Sequence, residues 1–212
     1  MPMEISIVSI LLLVVIIVIS MTLHEISHAY VAFWLGDYTP KAQGRLSFNP
    51  IKHLDPVMSL LLPLMLALAG GPIFGGAKPV QINTNKLKWN EWGFALVALA
   101  GPLMNLLIAF ISFSVLYYLG SSMSELWGSI LLIAVQVNLG FLVFNMIPIP
   151  PLDGSRIIYA IAPEFVQSAM SKIENYGIMA VMVLVIVFSS ALSTIMSNSM
   201  LFILEIFNKL MI

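Results

Sequence analysis

The sequence has no cysteine, which excludes disulfides, thiolate metal sites and cysteine nucleophiles. Any bound metal must therefore sit on nitrogen and oxygen. Charge is almost as scarce. Asp, Glu, Lys and Arg make up 9% of the 212 residues, against about 25% in an ordinary soluble domain. The two signs nearly cancel, at a formal net charge of −1, so there is no basic field for nucleic acid. Tandem repeats and low-complexity tracts are also missing. The opening MPMEIS carries no basic n-region, and the apolar run behind it continues to about residue 35. It reads as a retained helix rather than a cleaved signal peptide.

What is present is apolar. Residues 5–23, 56–77, 92–124, 126–152 and 175–204 hold no Asp, Glu, Lys or Arg. A bilayer core takes a helix of about 20 apolar residues. The expected fold is an all-α polytopic membrane protein, with one integral membrane domain over residues 1–212. Helices are expected at 5–35, 91–119 and 127–146, with a last span at 177–197 and a surface tail at 200–212. Short β elements are expected at 42–48 and 77–83. The apolar stretch 56–77 is broken by Pro56, Pro63, Gly70, Gly71 and Pro72.

Lysine and arginine in the loops set orientation. Residues 36–55 hold Lys41, Arg45 and Lys52, and residues 78–90 hold Lys78, Lys86 and Lys88. The connector after Pro151 holds Arg156 and Lys172, whereas the turn at 120–125 holds neither residue type. The three basic segments are expected to be cytoplasmic, with the N-terminus outside. That parity requires 56–77 to enter and leave on one side, as a re-entrant or hairpin-like segment.

The chemistry concentrates in His24-Glu25-Ile26-Ser27-His28. Histidines at i and i+4 share one helix face, where two imidazoles can hold one zinc ion. The adjacent Glu25 can take a proton from water acidified by that ion. Three ionisable groups at the edge of a membrane span are costly and hard to explain as packing. A catalytic zinc needs a third protein ligand. Asp153, after Pro148, Pro150 and Pro151, is one candidate, and His53 and Asp55 are its rivals. A plainer reading makes Asp153 a helix N-cap and leaves His53 and Asp55 solvated in a polar loop.

The motifs HEISH (24–28), GRLSFNPIKHLDP (44–56), GGPIFGGAKPVQIN (70–83), ALAGPLMNLL (98–107) and FNMIPIPPLDGSR (144–156) carry a resemblance to the site-2 protease family. These are zinc metalloproteases that cut within the membrane, and the chain is most similar to the small bacterial branch without a PDZ domain. The resemblance implies one Zn2+ per chain on His24, His28 and Asp153, with Glu25 as catalytic base. It also implies a core of three helices, carrying HEISH, AGP and LDG, with the site in their cytoplasmic half. The expected partners are transmembrane protein substrates, the lipid bilayer and a regulatory membrane partner of unknown identity. Some relatives have a helix before the HEISH span, which this sequence lacks.

Asn105, Asn138 and Asn145 are polar groups in apolar helices. Interhelical hydrogen bonding, worth about 0.6 kcal/mol per bond on average, accounts for Asn138. The resemblance implies that Asn145 holds the substrate backbone near the scissile bond, and Asn105 is a second candidate for substrate contact. Arg45 and Lys78 read as cytoplasmic anchors, and the four tryptophans as interfacial. The competing function is a metal or proton transporter, since intramembrane His, Glu and Asp also mark ion paths. Transport, however, gives no reason for a glutamate between two i,i+4 histidines, and no paired repeat halves are visible.

Overall fold

Charge-free aliphatic runs can cross lipid only as helices, because each backbone group must pair within its own segment. The structure is a computed structural model that describes residues 7–55 and 78–212. The described residues hold four helices long and apolar enough to span a bilayer. They are α1 (Ile7–Trp34), α3 (Asn90–Leu119), α4 (Glu125–Asn145) and α8 (Ser189–Met211). Shorter helices connect them: α2 (Thr39–Ala42), α5 (Gly154–Ile161), α6 (Glu164–Glu174) and α7 (Ile178–Val187). The protein is therefore an all-α, multi-pass membrane protein.

Burial is inverted relative to a soluble domain. Ile7, Leu11, Val15 and Ile19 of α1 are exposed, as are Leu103, Leu107 and Ile111 of α3. Ser20, Thr22, His24, Glu25, His28, Asn105, Ser112 and Asn138 are buried. Apolar side chains thus face outward, and the polar groups of these helices face one another.

The central helix α3 packs along both α1 and α4. Small residues let the backbones approach: Ala29 and Ala32 of α1, and Ala95, Ala98 and Gly101 of α3, are all buried. At one end Ala32, Leu87 and Val97 seal the α1–α3 seam. Ala109, Val135, Leu139 and Phe207 join α3, α4 and α8. Phe144, Leu152, Val181, Val185 and Leu192 join the end of α4 to α7 and α8.

Three expectations need correction. The last span is not continuous over 177–197, because the chain breaks at Phe188 (φ −105°, ψ 20°). The β-branched run before it and the Ser-Ser pair after it are weak helix formers. The expected surface tail is instead part of the 23-residue helix α8. No strand forms at 42–48 or 78–83. In the first, the amides of Gln43, Gly44 and Arg45 close turns on Thr39, Lys41 and Pro40, and Gly44 has a φ of 68°. In the second, the Val80 and Asn83 amides bond to the carboxylates of Glu25 and Asp37 rather than to a ladder partner. The re-entrant segment expected at 56–77 lies outside the described residues.

Candidate metal centre

The site is built where α1, α3 and the turn after α4 meet. On α1, His24 and His28 are one turn apart, with 7% exposure each, and their Nε2 atoms are 3.0 Å apart. Asp153 precedes α5 and brings Oδ2 to 3.2 Å from His24 Nε2 and 3.4 Å from His28 Nε2. These residues form the one group of potential metal ligands found among the described residues. His53 and Asp55 are not part of it.

Gly154 lets the Asp153 turn sit this close, because a Cβ there would collide with the Met146 carbonyl. Gly101 does the same for α3. A Cβ at Gly101 would lie 2.5 Å from His24 Cε1, 2.6 Å from His24 Nε2, and against His28 Nε2. The helix passes the imidazoles with only a hydrogen between them.

Each histidine uses its other nitrogen. His24 Nδ1 lies 2.6 Å from Asn105 Oδ1, and His28 Nδ1 lies 2.7 Å from the Val97 carbonyl. An oxygen acceptor there takes the Nδ1 proton, which leaves Nε2 with its lone pair free. Asp153 Oδ2 is buried with no hydrogen-bond partner.

Two lone pairs and a carboxylate oxygen thus face one point. Zinc–ligand bonds of about 2.0–2.1 Å in a tetrahedron require ligand atoms about 3.3 Å apart. The three separations, 3.0, 3.2 and 3.4 Å, fit that ion, and the absence of thiols fits a three-ligand catalytic site rather than a closed structural one.

Glu25, 9% exposed, accepts a hydrogen bond from the Val80 amide at 3.1 Å. Asn145, the predicted substrate contact, is half-buried on the last turn of α4 and donates to the Phe141 carbonyl at 3.0 Å. Asn105, the other predicted substrate contact, is completely buried. Its Oδ1 meets His24 and its Nδ2 donates to Asn138 Oδ1 at 2.8 Å, so neither end is open to a substrate.

Two loop residues read as solvated or peripheral in the sequence, His53 and Arg45, are instead buried, as is Asp37, which the sequence did not single out. His53 is 1% exposed, and its Nε2 bonds to the Ser47 carbonyl at 2.7 Å. Arg45 is 5% exposed and donates to the carbonyls of Lys52 and Pro79. Asp37 is fully buried and accepts from the Thr39 and Asn83 amides at 2.9 and 2.7 Å. Together they fasten the loops 36–55 and 78–89 over the α1–α3 end. Only their position in short polar loops marked them in the sequence, and that pattern fits solvated residues equally well.

The chain is similar in sequence to several known proteins. The family model for peptidase family M50 matches residues 120–189, which include Asp153 but not the HEISH segment. A Bacillus subtilis (strain 168) protein named "Putative zinc metalloprotease YwhC" is 40% identical over 179 residues, covering 81% of this chain and 78% of the relative. The Mycolicibacterium smegmatis protein Rip2, named with the same description, is 32% identical over 170 residues, or 79% of this chain and 63% of its own length. The Methanocaldococcus jannaschii protein MJ0611, also so named, is 34% identical over 99 residues, or 47% of this chain and 50% of its own. No solved structure matches the chain.

Proposed function

The chain belongs to peptidase family M50 as a metalloprotease, and from that premise we propose that it cuts peptide bonds within or near transmembrane segments, with one zinc ion held by His24, His28 and Asp153. The observation that carries this is the convergence of the three ligand atoms between membrane-length helices. His28 and His24 lie six and ten residues before Trp34, so about 9 and 15 Å inside the helix end at 1.5 Å per residue. A water-soluble peptide has no reason to be processed at that depth.

Zinc in this site would acidify a water and polarise the scissile carbonyl. Glu25 accepts the proton of the attacking water on its carboxylate and passes it to the leaving amine nitrogen. The Nδ1 bonds to Asn105 and Val97 keep both imidazoles turned to the reaction. Asn145, at the mouth of the Asp153 turn, holds the substrate backbone once its amide leaves Phe141. A substrate helix hides its carbonyls in its own hydrogen bonds, so it must unwind before it reaches Glu25. The basic loops 36–55 and 78–90 support a cytoplasmic position for this end of the bundle.

The test is cleavage of a panel of single-span substrates in liposomes. Glu25→Gln keeps the zinc and loses at least about a hundredfold in rate, while Asp153→Ala loses both zinc and cleavage. A chelator stops the wild type, and added zinc restores it. Equal cutting by wild type and Glu25→Gln would refute the mechanism.

A further inference from the structure

The two histidines solve the same problem differently. The Nδ1 of His28 rests on a backbone carbonyl, Val97, which can only accept. The Nδ1 of His24 rests on an asparagine, whose amide can present either an acceptor or a donor. If Asn105 turned its NH2 toward His24, the imidazole proton would move to Nε2 and the ligand lone pair would be lost. Something must hold Asn105 in the accepting orientation.

We infer that the buried chain Ser20–Asn138–Asn105 is a positioning relay that keeps the His24 proton on Nδ1 and its Nε2 open to the metal. Its fixed end is the Ala134 carbonyl, 2.8 Å from the Asn138 amide. A carbonyl only accepts, so the atom facing it must be Nδ2. The second hydrogen of Nδ2 goes to Ser20 Oγ at 2.9 Å. Asn138 Oδ1 therefore points to Asn105 and takes a hydrogen bond from its Nδ2 at 2.8 Å. That leaves Asn105 Oδ1, and no other atom, for His24 at 2.6 Å. Every link is hidden from solvent, with Ser20 at 2%, Asn105 at 0% and Asn138 at 0% exposure. Ser20 lies one turn before His24 on α1, so the relay leaves that helix, crosses α3 and α4, and returns to it. It makes the bundle itself the device that selects the tautomer.

This inference rests on the zinc reading above. The test uses full-length protein in detergent, with zinc affinity read by chelator competition and ligand geometry read from the visible spectrum of the Co2+-loaded protein. Asn138→Leu frees Asn105 to turn and lowers zinc affinity about tenfold or more, with an altered Co2+ spectrum. Asn105→Asp can only accept from His24, so it bypasses the relay. Adding Asn138→Leu to Asn105→Asp then costs no further affinity, a coupling that independent packing defects do not show. The double variant also answers the question if Asn138→Leu alone fails to fold. Wild-type affinity and spectrum in folded Asn138→Leu would overturn the relay and leave the zinc site standing, as would a double variant weaker than Asn105→Asp. A wild type that binds no zinc would remove the site itself.

Discussion

At Gly101 a single hydrogen faces two imidazole rings, and no heavier atom fits. Gly101→Ala is therefore expected to push α3 away from α1 or to turn His24 and His28 off the metal. Crowding a packed site costs about 1–3 kcal/mol, which corresponds to roughly a fivefold to hundredfold loss of zinc affinity. Gly140→Ala is the control, because a Cβ there meets nothing within 4 Å. Metal content after dialysis distinguishes the two, and equal zinc retention would show that the seam yields more easily than its packing implies. The i,i+4 spacing of the histidines and the presence of a nearby glutamate were legible in five letters of sequence. Which group stands third was legible only through the family resemblance, which implies Asp153: spacing alone left Asp153, His53 and Asp55 open, and it is the turn after α4 that brings Asp153 to the imidazoles. Asn105 was visible as a polar residue in an apolar helix, but its partner depends on where three helices cross.

Elements were readable to within a residue or two wherever a charge-free run met a polar stop, as at Trp34, Leu119 and Asn145. The break at Phe188 was not, because the run is apolar on both sides and the interruption is a matter of weak propensity. The loops hid more. Asp37 sits in a polar stretch where water would satisfy it, yet it binds two amides from segments 44 residues apart (Thr39 and Asn83). Asp37→Ala leaves these N–H groups without their acceptor. An unsatisfied buried donor costs about 1–3 kcal/mol, so hydrogen exchange at residues 39 and 83 should quicken by about fivefold or more. Unchanged exchange would show that other groups hold the loop. Asp37→Asn retains one acceptor oxygen and should fall between.

For the molecule as a whole, tryptophans mark two levels. Trp34, Trp89 and Trp92, all exposed, lie where α1 ends and α3 begins, next to the Lys88–Leu35 backbone bond. Trp127, also exposed, lies at the start of α4, at the far end of the antiparallel α3–α4 pair. Interfacial tryptophans sit at headgroup level. The proposed orientation then has a direct check, because the chain has no cysteine to remove. Single cysteines at the exposed positions 41 and 86 should react with an impermeant maleimide from one side of the membrane, and one at position 121 from the other. Labelling of 41 and 86 from opposite sides would overturn the orientation. The loop charges suggested this arrangement, whereas the depth of the histidines became measurable only with helix ends in place.

His24 and His28 stand in the first half of the chain and Asp153 in the second. During synthesis, the ribosome releases two imidazoles into the bilayer long before it releases the carboxylate that completes their set. Until α4 has inserted and the proline-rich turn has folded back, the growing polypeptide lacks the third ligand of the proposed site. On the proposed reading, newly made membrane proteins beside it are safe from it until its own assembly is complete.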